Sequence, residues 1–149
     1  MNPQCVHQQY MSTQVSTADR LQIVVMLYEG AISFLSQAKE KMANKDAPGK
    51  GLFIGKALDI IAELNASLNF VEGREVAVNL FHLYNFLTGH ITRANLNWDV
   101  DAVDQAITML IQLRDAWLQV SQKEKGGEIK ENPAISTEPL RNFIGSLKV

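Results

Sequence analysis

Six apolar side chains stand in a row at residues 23–28, IVVMLY, inside a stretch that otherwise alternates apolar and polar positions with a helical period. A helix advances ~100° per residue, so six in a row point around the whole cylinder and a single core face cannot take them all. The surrounding pattern predicts a first helix from Ser16 or Thr17, either of which can cap it, to about Met42. Leu21, Val24, Leu27, Tyr28, Ala31, Phe34, Leu35, Ala38 and Met42 share one face, and Gln22, Glu29, Ser33, Ser36 and Glu40 the opposite one. The run NKDAPGKG (44–51) breaks this helix, because Pro48, Gly49 and Gly51 are unsuited to a helix interior.

Three further helices follow the same pattern. The second, about 52–71, presents Phe53, Ile54, Ala57, Ile60, Ile61, Leu64 and Leu68, with Gly73 marking its end. The third, about 75–96, presents Val76, Leu80, Leu83, Tyr84, Leu87, Ile91 and Ala94. NLNWDVD (95–101) reads as a short turn, with Asp99 or Asn97 as cap of a fourth helix over about 100–121 that uses Val103, Ala106, Ile107, Leu110, Leu113 and Trp117. No run of alternating β-branched residues and no βαβ rhythm is present, so the class is all-α. Amphipathic helices of similar length joined by short turns are antiparallel neighbours, which makes an up-down four-helix bundle.

The tails divide from this bundle by composition. Residues 1–15 form a polar, glutamine-rich and flexible N-terminal segment, 16–121 the bundle, and 122–149 a linker and a short C-terminal amphipathic helix. The linker signal is SQKEKGGEIKENPA (121–134), charged and without period. Beyond it Thr137 can cap and Pro139 fits a first turn, and Leu140, Phe143, Ile144 and Leu147 repeat at i, i+3, i+4 and i+7. This fifth helix has three readings: a self-plug docked in a groove of its own bundle, a helix packed permanently on the core, or a disordered tail.

Composition narrows the function. A chain of 149 residues fits one domain with a real core. A net charge of −2 leaves no electrostatic footprint for nucleic acid or an anionic membrane. The lone Cys5 excludes an internal disulfide. No basic-then-apolar leader and no apolar run approaching a membrane span is read, so the expected location is the cytoplasm.

Catalytic and metal chemistry find no foothold. A di-metal bundle site requires Glu-x-x-His pairs, and none of His7, His82 or His90 has an acid three residues before it. His82 and His90 read as solvated histidines on the polar side of the third helix. Cys5-Val6-His7 is two ligands short of a zinc site. Asp99, Asp101 and Asp104 suit the dipole at the start of the fourth helix and lack the oxygen pattern of a calcium loop. There is no phosphate loop, nucleophile elbow or HExxH motif, so the chain reads as a non-enzyme without metal or cofactor.

What is left is a surplus of apolar residues off the core face: Ile23, Val25, Met26 and Ile32 on the first helix, Leu58 on the second, Val78, Phe81 and Phe86 on the third, Met109 and Ile111 on the fourth. A bundle helix touching two neighbours has a broad apolar arc, and that accounts for residues flanking the core such as Ile23 and Phe81. The alternative is that some of them line grooves for an apolar partner.

A specific likeness bears on that choice. YMSTQVSTADRLQIVVMLYEGAISFLSQA (10–38) resembles the opening of the flagellin-specific export chaperones, the FliS family. Tyr10, Val15, Thr17, Ala18, Leu21, Met26, Leu27, Tyr28, Glu29, Gly30 and Ala31 occupy the places of its motif, and Asp19-Arg20 depart from it. The likeness continues in KALDIIAEL (56–64), NLFHLY (79–84), RANLNWDVDAVDQA (93–106) and LRDAW (113–117), covering about residues 10–120. The resemblance implies a cytoplasmic helical bundle that binds the disordered C-terminal segment of flagellin in apolar grooves. It further implies prevention of premature polymerisation and delivery to the flagellar type III export gate membrane protein. The client-binding residues expected on this basis are Tyr10, Val15, Val25, Met26, Tyr28, Ile32, Leu58, Val78, Phe81 and Phe86, with Tyr28 also on the core face. The rival reading is a non-catalytic structural bundle or oligomeric scaffold, a homodimer for example, using the same apolar surplus.

Overall fold

The computed structural model describes residues 17–126, with side chains described from Arg20 to Gln122. They form four helices: α1 (Thr17–Ala43), α2 (Ala47–Ala66), α3 (Phe70–Asn97) and α4 (Val100–Gly126). There is no strand among the described residues, in agreement with the all-α bundle read from the pattern. Each helix packs on the two that adjoin it around a square, α1 on α2 and α4, and α3 on α2 and α4, so that α1 and α3 stand on a diagonal. The packing is closest around α1 and sparser around α3.

The turns are shorter than the sequence suggested. α1 ends where Lys45 takes a left-handed conformation (φ 56°), and Asp46 caps α2 by accepting a hydrogen bond from Gly49 N at 3.0 Å. The expected break at 44–51 is therefore confined to three residues, and Pro48, Gly49 and Gly51 lie inside α2. The physical reason is positional: proline in a first turn forfeits no hydrogen bond, and a Cβ on Gly49 would lie 2.5 Å from Asp46 Oδ2, so glycine is what the cap requires. α2 stops at Ala66 with Ser67 as its C-cap, not at Gly73. Asn69 starts α3 early by accepting from Val71 N and Glu72 N, both at 3.0 Å. Gly73 is buried within α3, followed by a kink at Arg74 (φ 50°, ψ −127°). Trp98, left-handed at φ 54°, closes α3, and Asp99 caps α4 by accepting from Ala102 N at 3.1 Å. α4 passes the expected end at 121 and runs to Gly126, so the first residues of the anticipated linker are helical.

The core is one cluster running the length of the bundle. Leu21, Tyr28, Leu35, Ile54, Ile61, Leu87, Ile91, Val103 and Leu110 are fully buried in it. Small residues set the closest approach: a Cβ on Gly30 would lie 3.2 Å from Ile60 Cδ1, so α1 and α2 meet nearly backbone to side chain there. Phe34 stacks on Phe53 across the same seam, with centroids 6.3 Å apart. On the other flank of α1, Lys39 forms an ion pair with Asp104 of α4.

α1 is also long and apolar enough, over Arg20–Ala43 with a mean hydropathy of 1.3, to cross a membrane by length and composition alone. That corrects the expectation that nothing here approaches a span. Interspersed small and apolar residues raise the average without forming an unbroken run, and Leu21, Val24, Tyr28, Ala31, Leu35 and Ala38 are directed into the bundle core.

Candidate functional site: the outer apolar faces of the bundle

The question set by residues 23–28 has a geometric answer. Val24 and Tyr28 are core, Ile23 and Leu27 are half-buried, and Val25 is buried at 6% exposure. Val25, Ile32 and Lys39 are spaced seven apart and share one flank of α1. Lys39 is paired with Asp104, so that flank faces α4, and Val25 belongs to the core rather than to a partner surface. Met26 alone of the six is open to solvent, at 62% exposure, between exposed Gln22, Glu29 and Ser33.

Tyr28 is likewise a core residue, fully buried and hydrogen-bonded to the Tyr84 hydroxyl from across the diagonal; either hydroxyl can donate. The Trp117 indole N–H donates to the Tyr28 oxygen, so helices α1, α3 and α4 meet in one buried polar chain. Burial pushes the Tyr28 hydroxyl up to about 12, partly offset by these two hydrogen bonds. Tyr84 is also raised well above its ordinary value, by burial first and then by the neighbouring Tyr28. Such hydroxyls stay neutral and hold the helices in register. Both are enclosed in the core.

Of the remaining expected residues, Ile32 and Leu58 are half-buried against the core. Val78, Phe81 and Phe86 of α3 are exposed at 42%, 37% and 50%. Phe81 meets Phe70 edge to face at 5.8 Å, and an open cleft of about 450 Å³ is lined by Phe70, Arg74, Glu75, Val78 and Asn79. Phe86 stacks on His90 with centroids 5.3 Å apart. The expected residues therefore divide into two places. Met26 lies on the outer side of α1, and the α3 residues lie on the diagonal opposite side. Tyr10 and Val15, and the tail residues Leu140, Phe143, Ile144 and Leu147, fall outside the described residues.

Sequence reasoning missed several exposed apolar groups: Leu52, Phe70, Val71, Leu96, Trp98 and Val100. Phe70 and Val71 were assigned to the end of the second helix, and the Asn69 cap is the signal that could have moved them. It also missed Lys50, which is buried, donates to Asn95 O at 2.7 Å and lies 3.7 Å from the Trp98 ring centroid. A cation at the carbonyl end of α3 complements the helix dipole, and the indole face replaces part of its hydration. His82 is exposed as expected, whereas His90 is half-buried, with Nε2 enclosed and unpartnered, because its ring lies flat on Phe86. Asp99 and Asp104 act as cap and ion-pair partner. Among the described residues no group of His, Cys, Asp and Glu is placed to hold a metal ion.

A four-helix bundle with a buried polar lock and apolar side chains on its outer faces is built to present surfaces. Residues 3–124 match the family described as Flagellar protein FliS. The chain is 39% identical over 110 residues to the "Flagellar secretion chaperone FliS" of Vibrio cholerae, covering 74% of this chain and 81% of that one. It is 32% identical over 111 residues to the "Flagellar secretion chaperone FliSB" of Pseudomonas aeruginosa, covering 74% and 88%. To the Salmonella typhimurium protein of the first name it is 33% identical over 114 residues, covering 76% and 84%. The chain belongs to the FliS family.

Proposed function

We infer that this protein is a cytoplasmic export chaperone that binds the C-terminal segment of flagellin on its outer apolar faces. Holding that segment prevents premature polymerisation, and the complex is then delivered to the membrane protein of the flagellar type III export gate. The relatives' names support the chaperone role. The observation that carries the client reading is the row of exposed apolar side chains on α3, Val78, Phe81 and Phe86, on a helix whose core face is already complete. The work is binding without chemistry. Each Leu, Ile or Phe that a client buries contributes about 1.5–3 kcal/mol, whereas ordering a disordered segment takes about 2–5 kcal/mol or more. A single buried side chain is not enough for that, and exposed apolar side chains on opposite sides of the bundle fit a client that wraps around it in helix-in-groove fashion.

Calorimetric titration with the last forty or so residues of the host's flagellin tests this. A saturable one-to-one isotherm with a large negative heat-capacity change is expected. Absence of binding, together with a mass that rises with concentration without client, would replace this reading by an oligomeric scaffold.

A further inference from the structure

The chain that follows α4 leaves the bundle at one identifiable end. α4 starts at the Trp98–Asp99 turn and runs back antiparallel to α3, and the two helices are 27 and 28 residues long. Gly126 therefore lies level with the start of α3, where the cleft lined by Phe70, Arg74, Glu75 and Val78 opens. Residues 127–139 follow. A chain of that length reaches at most ~45 Å. The stretch of α3 from Phe70 to Phe81 is only ~17 Å long.

Beyond that tether come Leu140, Phe143, Ile144 and Leu147 at helical spacing. On the same projection Arg141 and Lys148 fall together on one flank of the stripe. Glu75 lines the cleft and Glu72 stands in the turn before it, while Arg74 borders the cleft and Glu138 precedes the stripe, so both signs have a counterpart. We propose that residues 140–147 seat as a helix in the α3 cleft at Phe70 and Val78, beside Phe81, as an internal occupant that a client must displace. The tether holds them there at a millimolar effective concentration without a second molecule. The consequence for the client rests on the chaperone reading. The seat itself does not, and it is tested without flagellin.

The test uses the full chain with Cys5→Ser and Val78→Cys, following the rate at which a maleimide labels the new thiol. The same chain carrying Phe143→Asp and Leu147→Asp is expected to label about tenfold faster, as an occupancy of nine-tenths requires. In the parent, that slow rate is expected to be independent of protein concentration. A Val78→Cys, Leu147→Cys pair, again with Cys5→Ser, is expected to crosslink within one chain. Equal labelling rates would overturn the proposal. So would protection that grows with concentration, which would make the occupant a second copy, or protection abolished by Tyr10→Asp and untouched by the tail substitutions, which would make it the N-terminal segment.

Discussion

Helices α1 and α3 stand on one diagonal of the same bundle, nearly equal in length, and their surfaces have opposite characters. α1 buries Val25 on one flank against α4, brings Gly30 against Ile60 of α2 on the other, and among the described residues leaves only Met26 as an exposed large apolar side chain. α3 fills its core face with Leu80, Tyr84, Leu87 and Ile91, yet still exposes Phe70, Val71, Val78, Phe81, Phe86 and Leu96. The difference lies in the neighbours. Gly30 lets α2 close on one flank of α1 and α4 packs closely on the other, whereas α3 is more loosely packed and kinked in its first turns. The same apolar surplus is buried in packing in one helix and left exposed on the other.

The largest effect expected from that difference is on stability. Leu35 is fully buried in α1, and Leu35→Ala should destabilise the fold by about 3 kcal/mol through lost transfer energy and a cavity. Phe86, on the outer side of α3, touches chiefly His90, and Phe86→Ala should lower stability by less than about 1 kcal/mol. Urea denaturation of both variants measures the gap. Equal losses would mean that α3's aromatic residues are core after all.

The buried hydroxyl pair joins the two helices and gives a pH prediction next in size. In the unfolded chain tyrosines lose their protons near 10, while burial holds Tyr28 protonated to about 12 and also raises Tyr84 well above its ordinary value. The native state thus binds more protons than the unfolded one above pH 10, and stability falls as pH rises from 10 through 12. The Tyr28 contribution lost over that window is about 2–3 kcal/mol, and below pH 10 it is fully present. The Tyr10→Phe variant leaves Tyr28 and Tyr84 as the only phenols. Its phenolate absorbance should rise together with helix loss, and a titration complete near pH 10 with helicity intact would contradict the burial argument.

The helical period in the sequence was enough to locate the four helices and nearly all of their core faces, because each face follows directly from 3.6 residues per turn. Turn boundaries were not visible to that reasoning. Pro48 and Gly49 read as breakers, although a proline in a first turn and a glycine beneath a capping aspartate are favourable. Gly73 read as a terminator because nothing local showed that Asn69 had already begun α3. The site was legible only in composition. Periodicity marks Val25 and Met26 alike as off the core face, and what separates them is the position of α4 beside Lys39, which is a tertiary fact. Tyr28 was ambiguous for the same reason: its partner Tyr84 is distant in sequence and meets it only across the folded diagonal.

The two outer faces can be separated by charge. Val78→Asp on α3 and Met26→Asp on α1 both place a carboxylate on an exposed site, so helicity should be intact and stability changed by no more than about 0.5 kcal/mol. If the client wraps both faces, each should weaken flagellin-peptide binding by roughly 10-fold, about 1.4 kcal/mol. A loss confined to Val78→Asp would assign binding to α3 alone, and Met26 would then be an isolated surface methionine among polar neighbours.

The smallest effect concerns the kink that sets α3 apart. Arg74 holds φ 50° with ψ −127°, a conformation that a side chain disfavours and glycine adopts readily, and its side chain is exposed. Residues in such conformations carry a strain of about 1–3 kcal/mol, maintained by their surroundings. Here the surroundings are the Asn69 cap on one side and the buried Ala77 and Leu80 on the other, which fix both halves of α3 and leave the mismatch to one residue. Arg74→Gly should therefore raise stability by about 1 kcal/mol, the relief of strain being partly offset by the greater freedom of glycine in the unfolded chain. Hydrogen exchange at Phe70–Gly73 should slow by a similar factor if the kink is native strain. Destabilisation with faster exchange at those amides would show instead that the Arg74 side chain secures the first turn, and that the apolar opening at this end of α3 depends on it.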